Sequence, residues 1–278
     1  MLEIFMGGQA KKFVAPPGQV EYTTVGTRTW TVPRGVEKIS ILGVSAGGGN
    51  KTGAYSTQVG YGGGGGLGYC NDLQVKMGDR VKVVTGQVGT NISSSVGGTA
   101  GNGGDTIISI NDVVVLQVKG GGGGGSNVGG AGGSMLVGQV GFRGGNGGRG
   151  LGNGTWGQEG AGGAAGYAGN GGNGASYPSG TMIAATAGAG GGGAGGSAYD
   201  PSGGGVGIYG RGTNGVVATG ETSSPSTRRN GSMLQPTHMC YGSGGGGDGA
   251  VSRLAGRGAA RIIWGEGRAW PATNTGNV

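Results

Sequence analysis

The sequence predicts a mainly β protein with little or no α-helix, in which an antiparallel β-sandwich-like framework carries an inserted stack of polyglycine II helices. Three observations predict it. Short segments rich in Val, Ile, Leu and Thr alternate with polar turns between about residues 20 and 118. A similar segment, Ala259 to Trp264, returns near the end. Glycine fills 81 of the 278 positions, and much of it between these two regions falls into a register of three.

Taken in order, residues 1–26 hold Pro16-Pro17-Gly18 and read as an extended N-terminal arm or attachment segment. Thr27 to Val32 alternates with period two and is stopped by Pro33-Arg34-Gly35 as a turn. Val36 to Val44 is a second strand, and Leu67 to Val75, Arg80 to Thr85 and Thr106 to Val118 supply more. Their turns fall at Met77-Gly78-Asp79 and Asn111-Asp112. Several short strands separated by polar turns argue for an antiparallel sandwich or barrel. Ala259 to Trp264 is expected to rejoin that sheet. Residues 27–264 then form one glycine-rich β domain with an insertion at about 120–256, and 265–278 form a C-terminal tail.

The insertion is recognised by spacing. Glycine recurs at 141, 144, 147 and 150, then in another phase at 154, 157, 160, 163, 166, 169 and 172. A period of three suits the polyproline II type of helix, which has no internal hydrogen bonds and turns every N–H and C=O outward. Those groups need partners, and glycine on the facing sides lets neighbouring backbones come close enough to supply them. The other thirds, such as Asn146, Arg149, Ala164 and Asn170, face outward or fill gaps. Residues 154–172 would run roughly 56 Å unbroken at about 3.1 Å per residue. A compact chain of this length has a radius of gyration of about 19 Å, so the run must turn back into a stack of short helices. Collagen requires roughly 15–20% proline, and only 8 prolines are present. Disorder is the competing reading of this composition. Hydrogen bonds between helices are what can offset a backbone entropy cost of about 1–2 kcal/mol per residue.

Composition also bears on chemistry. The net charge of +7 is spread along the chain, with doublets only at Lys11-Lys12 and Arg228-Arg229, unlike the clustered basic face of a nucleic-acid binder. The glycine-flanked Arg143, Arg149, Arg211 and Arg257 are too sparse for an arginine-glycine RNA-binding segment. Cys70 and Cys240 could form one bridge or remain buried thiols. No leader sequence and no apolar run near the roughly 18 residues of a membrane span is visible, so a soluble protein made in a cytoplasm is expected. Val44 to Thr52 follows a strand as a phosphate-binding loop does, but places Ser45 and Asn50 where that motif needs glycine. His238 has only Cys240 nearby as a second metal ligand. The twelve carboxylates do not cluster, and no nucleophile elbow occurs. We therefore expect no enzyme, no catalytic or metal residues and no cofactor.

Thr29-Trp30-Thr31-Val32-Pro33-Arg34-Gly35-Val36-Glu37-Lys38-Ile39-Ser40-Ile41, followed closely by a glycine run, resembles the opening of the glycine-rich domain of bacteriophage tail proteins. Gly103-Gly104-Asp105-Thr106, the glycine block after Val118 and Gly258-Ala259-Ala260-Arg261-Ile262-Ile263-Trp264 are similar to its other landmarks. The alternation of glycine runs with varied segments also resembles the receptor-recognising adhesins of T-even-type long tail fibres, in which stacked polyglycine helices hold receptor-contacting loops. The fibre-attachment domain of those adhesins has no counterpart here, which leaves a tail-tip or baseplate position.

The resemblance implies a non-enzymatic virion tail protein, assembled in the host cytoplasm, that recognises its host through the segments between glycine runs. Its partners would be other phage tail proteins and a bacterial surface receptor, lipopolysaccharide or an outer-membrane protein, and not nucleic acid. Tail symmetry is consistent with a homotrimer. Aromatic residues and arginine dominate binding hot spots, and arginine pairs well with phosphate. The expected contact residues are therefore Trp156, Tyr167, Tyr177, Met182, Ile183, Tyr199, Tyr209, Arg228, Arg229 and Tyr241. The bland alternative for Trp156 and Tyr167 is packing against glycine faces. For the whole chain the alternatives are a purely structural tail or baseplate component and, less well matched, an ice-binding protein, whose regular Thr or Ala spacing is missing.

Overall fold

The structure, a computed structural model, describes residues 13–52, 59–93, 95–150, 159–178, 180–197, 201–218, 241–248, 251–252, 255–272 and 275. Sixteen strands and no α-helix make up the regular structure of these residues. One antiparallel sheet has the lateral order β1 (Gly18–Tyr22), β16 (Ala259–Trp264), β3 (Lys38–Val44), β6 (Leu67–Gln74), β12 (Val140–Phe142). A second has the order β11 (Met135–Val137), β10 (Val113–Val118), β9 (Thr106–Ile110), β7 (Arg80–Thr85), β2 (Gly26–Thr31). The remaining strands are two-residue pairings among the glycine segments: β4 (Lys51–Thr52), β5 (Val59–Gly60), β8 (Ile92–Ser93), β13 (Arg149–Gly150), β14 (Gly247–Asp248) and β15 (Val251–Ser252). β9 and β10 form a hairpin whose central Asn111 and Asp112 both take positive φ, 48° and 66°. That is the turn geometry whose twist matches the flanking strands, and Asn and Asp tolerate it best after glycine.

The two sheets face each other across a core of Ile39, Ile41, Cys70 and Ile262 on one side and Val81, Val83, Ile108, Leu116 and Val118 on the other. The first sheet is covered on its opposite face too, where Leu42, Val44, Leu67, Tyr69 and Ile263 pack with Ala164, Ala165, Tyr167, Ile208 and Trp270. Burial on both faces explains the unbroken apolar run of β3, whereas β7, with one face outward, alternates. Cys70 is a free thiol inside the sandwich, and burial pushes its pKa up. Cys240 lies outside the described residues.

The glycine segments form the expected array of threefold extended helices, and the hydrogen bonds show the period directly. Ser45 and Gly48 donate to Gly66 and Gly63, Ala46 and Gly49 to Gly104 and Gly101, and Gly47 to Gly256. Likewise Tyr61 and Gly64 donate to Gly148 and Gly145, Gly62 and Gly65 to Gly245 and Gly242, and Gly63 to Gly122. Each third residue addresses the same neighbour, as three residues per turn requires. Glycine is obligatory at the crossings: a Cβ on Gly64 would overlap the carbonyl oxygen of Gly163.

Two expectations change. The array is not confined to an insertion at about 120–256. It begins at Ser45, and its segments continue the sandwich strands: 45–50 leave β3, 61–66 enter β6, 86–90 leave β7 and 119–125 leave β10. Strand and glycine helix are both extended, so one passes into the other without a turn. The segment expected as an N-terminal arm also contributes structure, since β1 pairs with β16 from Gly18↔Trp264 to Tyr22↔Ala260. That edge is locked by Arg261, fully buried, whose Nε lies 3.5 Å from Glu21 Oε1 and whose guanidinium sits 4.4 Å from the Tyr209 ring centroid. The C-terminal tail docks on the same sheet. Asn71 and Trp270 exchange two hydrogen bonds of 2.8 and 2.9 Å, and Arg268 donates to the carbonyl of Gly18.

Candidate functional site

Most N–H groups of the array donate to another glycine segment, whereas others face no backbone carbonyl. The sequence supplies polar side chains for these. Residues 128–134, 143–149, 170–178 and 183–189 lie side by side, joined by Gly144 and Gly147 donating to Gly133 and Gly130, by Gly171 and Gly174 donating to Arg143 and Asn146, and by Thr186 and Ala189 donating to Asn173 and Asn170.

Across this face the surplus N–H groups are taken by the next segment's side chains. Gly132 N–H donates to Asn146 Oδ1 at 3.0 Å, Asn146 N–H to Asn173 Oδ1 at 2.8 Å, and Asn173 N–H to Thr186 Oγ1 at 2.7 Å. In parallel, Arg143 N–H donates to Asn170 Oδ1 at 3.0 Å and Arg149 N–H to Ser176 Oγ at 3.2 Å. The residues responsible sit at i, i+3 and i+6: Arg143, Asn146 and Arg149 on one segment, Asn170, Asn173 and Ser176 on the next.

A shallow groove of about 510 Å³ runs over this ladder, lined by Val128, Arg143, Asn146, Arg149, Asn173 and Thr186 among others, with Ile183 at its border. Among the described residues no carboxylate lines it. Arg143 is partly engaged, its Nε donating to Gly132 O at 3.2 Å and its Nη2 to Asn146 Oδ1 at 3.1 Å. Arg149 is exposed, and its guanidinium makes no hydrogen bond or ion pair among the described residues. Both arginines point to the same side because six residues are two full turns, which separates them by roughly 19 Å.

The structure sorts the expected contact residues into three groups. Met182 and Ile183 are exposed on the turn closed by the Ser176–Ile183 backbone pair, and Tyr177, half-buried, is tied to Arg149 O on the same side. Tyr167 and Tyr241 are interior and are withdrawn as contact residues. The Tyr167 O–H donates to Gly207 O at 2.9 Å and its ring lies 5.6 Å from Trp270, while burial raises its pKa steeply. Tyr241 pairs with Val206 through two backbone bonds of 3.0 Å, and burial pushes its phenol up to about 12. Tyr209 is exposed at its rim but is committed to structure: its O–H donates to Glu21 Oε2 at 2.6 Å and its face covers Arg261. Trp156, Tyr199, Arg228 and Arg229 lie outside the described residues.

Residue-type reasoning passed over Arg143, Asn146, Arg149, Asn170, Asn173, Ser176 and Thr186 as contact residues. The signal that finds them is the repeated polar third in two runs offset by 27 residues. The loop resembling a phosphate site is filled from within, because the buried Lys51 Nζ donates to Val96 O at 2.7 Å, Gly98 O at 3.3 Å and Ser126 Oγ at 2.9 Å. Among the described residues no group of three or more His, Cys, Asp or Glu could hold a metal ion. No protein-family model matches the chain, and no curated protein matches it.

Proposed function

We propose that this chain is a phage virion tail protein, at a fibre tip or baseplate, that recognises the host surface non-enzymatically. The observation that carries the reading is the pairing of a backbone-bonded glycine lattice with a polar, arginine-bearing groove whose border is an exposed apolar turn, Met182-Ile183. A lattice held by main-chain bonds leaves its surface side chains free to vary, and loops on a rigid scaffold are where binding chemistry is placed. The sandwich joins the lattice to neighbouring tail proteins, and the receptor is lipopolysaccharide or an outer-membrane protein.

The purely structural alternative has one feature in its favour. Leu136, Val137 and Val140 are exposed on β11 and β12, the short edge strands in which the two sheets end. Purified protein should bind host cells and compete with phage adsorption. A Met182→Ser/Ile183→Ser variant should keep its fold and lose much of that competition. Failure of the intact, folded protein to bind or compete moves the assignment to the structural component.

A further inference from the structure

We infer that the groove between Arg143 and Arg149 binds an acidic glycan, one bearing carboxylate or phosphate groups. This rests on reading the face as a receptor-contact surface, and it names the chemistry such a receptor must offer.

Hydrogen-bond polarity sets the chemistry of this groove. Asn146 and Asn173 each use Oδ1 to accept a backbone N–H from the adjacent segment. An amide has one oxygen and one NH₂ group, so the backbone bond fixes which way each side chain is turned. What remains is Nδ2, and among the described residues it has no partner on either side chain. Ser176 and Thr186 also spend acceptor capacity on backbone N–H groups and keep an O–H to give. The ladder that completes the lattice thus turns the groove's side chains into donors. Two guanidinium groups are added, and among the described residues no carboxylate opposes them. A ligand matched to this surface is rich in acceptors and negatively charged.

The choice among such ligands follows from what the groove lacks. Single-stranded nucleic acid is held by aromatic stacking platforms as well as charge, and among the described residues no aromatic side chain lines the groove. Sugar hydroxyls and ring oxygens suit a row of amide and hydroxyl donors, and charged substituents suit arginines roughly 19 Å apart along the same line. Guanidinium recognises carboxylate and phosphate through paired N–H bonds.

The test is calorimetric titration of the full chain with polygalacturonate and with phosphorylated lipopolysaccharide core oligosaccharide, against neutral dextran and single-stranded DNA. Binding is expected for an acidic glycan and absent for dextran, and it should weaken with salt. Arg149→Gln should reduce affinity about tenfold or more, a loss of about 1.4 kcal/mol. Asn173→Asp keeps an oxygen to accept Asn146 N–H, so its melting temperature should hold while glycan binding falls by at least as much. Arg211→Gln, an exposed arginine not among the groove-lining residues, should change nothing. Wild-type glycan affinity in a folded Asn173→Asp, or preference for DNA, overturns the inference. Intact protein that blocks phage adsorption yet binds neither acidic glycan overturns it too and leaves the receptor reading in place. Glycan binding without adsorption competition upholds the groove chemistry and removes the receptor reading.

Discussion

Trp30 and Trp264 stack with ring centroids 5.2 Å apart and planes 21° from parallel, although β2 belongs to one sheet of the sandwich and β16 to the other. Trp264 Nε1 also donates to Pro16 O at 3.0 Å, and its ring lies where a Cβ on Gly18 would be. The aromatic residues of the opening Thr-Trp-Thr-Val-Pro motif and the closing Arg-Ile-Ile-Trp motif are thus one contact that ties the two sheets and the β1 edge together.

Trp30→Ala should therefore destabilise the whole domain. Both rings are half-buried, so the loss should lie at or below the lower end of the range for aromatic truncation, about 2–3 kcal/mol. Trp30→Phe, which keeps a stacking partner, should cost about half of that. Urea unfolding followed by far-UV circular dichroism measures both, and a change within about 0.5 kcal/mol for the alanine variant would refute the structural role.

Glycine in the array should be intolerant by position rather than by count. At Gly64 an added methyl meets backbone that its neighbours hold in place, so Gly64→Ala should cost at least about 3 kcal/mol or prevent folding. At Gly207 nothing lies within 4 Å of an added Cβ. Gly207→Ala should be neutral or stabilise by about 0.4–1 kcal/mol through the unfolded chain. Equal melting temperatures for the two variants would contradict the crossing geometry.

Alkaline pH should unfold the protein. Burial raises the phenols of Tyr22, Tyr69, Tyr167 and Tyr241, while Tyr209 is raised first by its hydrogen bond to Glu21. A raised phenol stays neutral in the fold but ionises near its ordinary value, about 10, when unfolded. Its contribution is complete below about pH 10 and is lost as pH climbs through the folded value, about 12 for Tyr241. Tyrosinate absorbance and circular dichroism should change together in that window, and Tyr241→Phe should move the midpoint upward. Tyrosines that all titrate near pH 10 with the dichroism unchanged would contradict the burial.

Much of this architecture is legible in the residues because its periods are local. Val81, Val83 and Thr85 alternate with outward neighbours because a strand repeats every two residues, and Gly144, Gly147 and Gly150 recur because a polyglycine helix repeats every three. The turn at Asn111-Asp112 is local for the same reason, being set by which side chains tolerate positive φ. Exposure of single aromatic residues is not set locally. Tyr167 and Tyr177 have similar glycine-rich surroundings in sequence, yet one is sealed against Trp270 and the other lies near the surface.

The sequence by itself thus determined the kinds of element, the approximate bounds of most long sandwich strands and the need for hydrogen bonds between glycine segments. Tertiary structure alone decided which segments became neighbours. Each glycine helix presents three nearly equivalent sides, and nothing local distinguishes the side that meets Gly163 from the side that meets Gly122. The sandwich strands from which 45–50, 61–66, 86–90 and 119–125 continue set where those segments lie. The choice of neighbours places Asn146 beside Asn173, leaves the Arg149 guanidinium without a partner among the described residues and buries Tyr241.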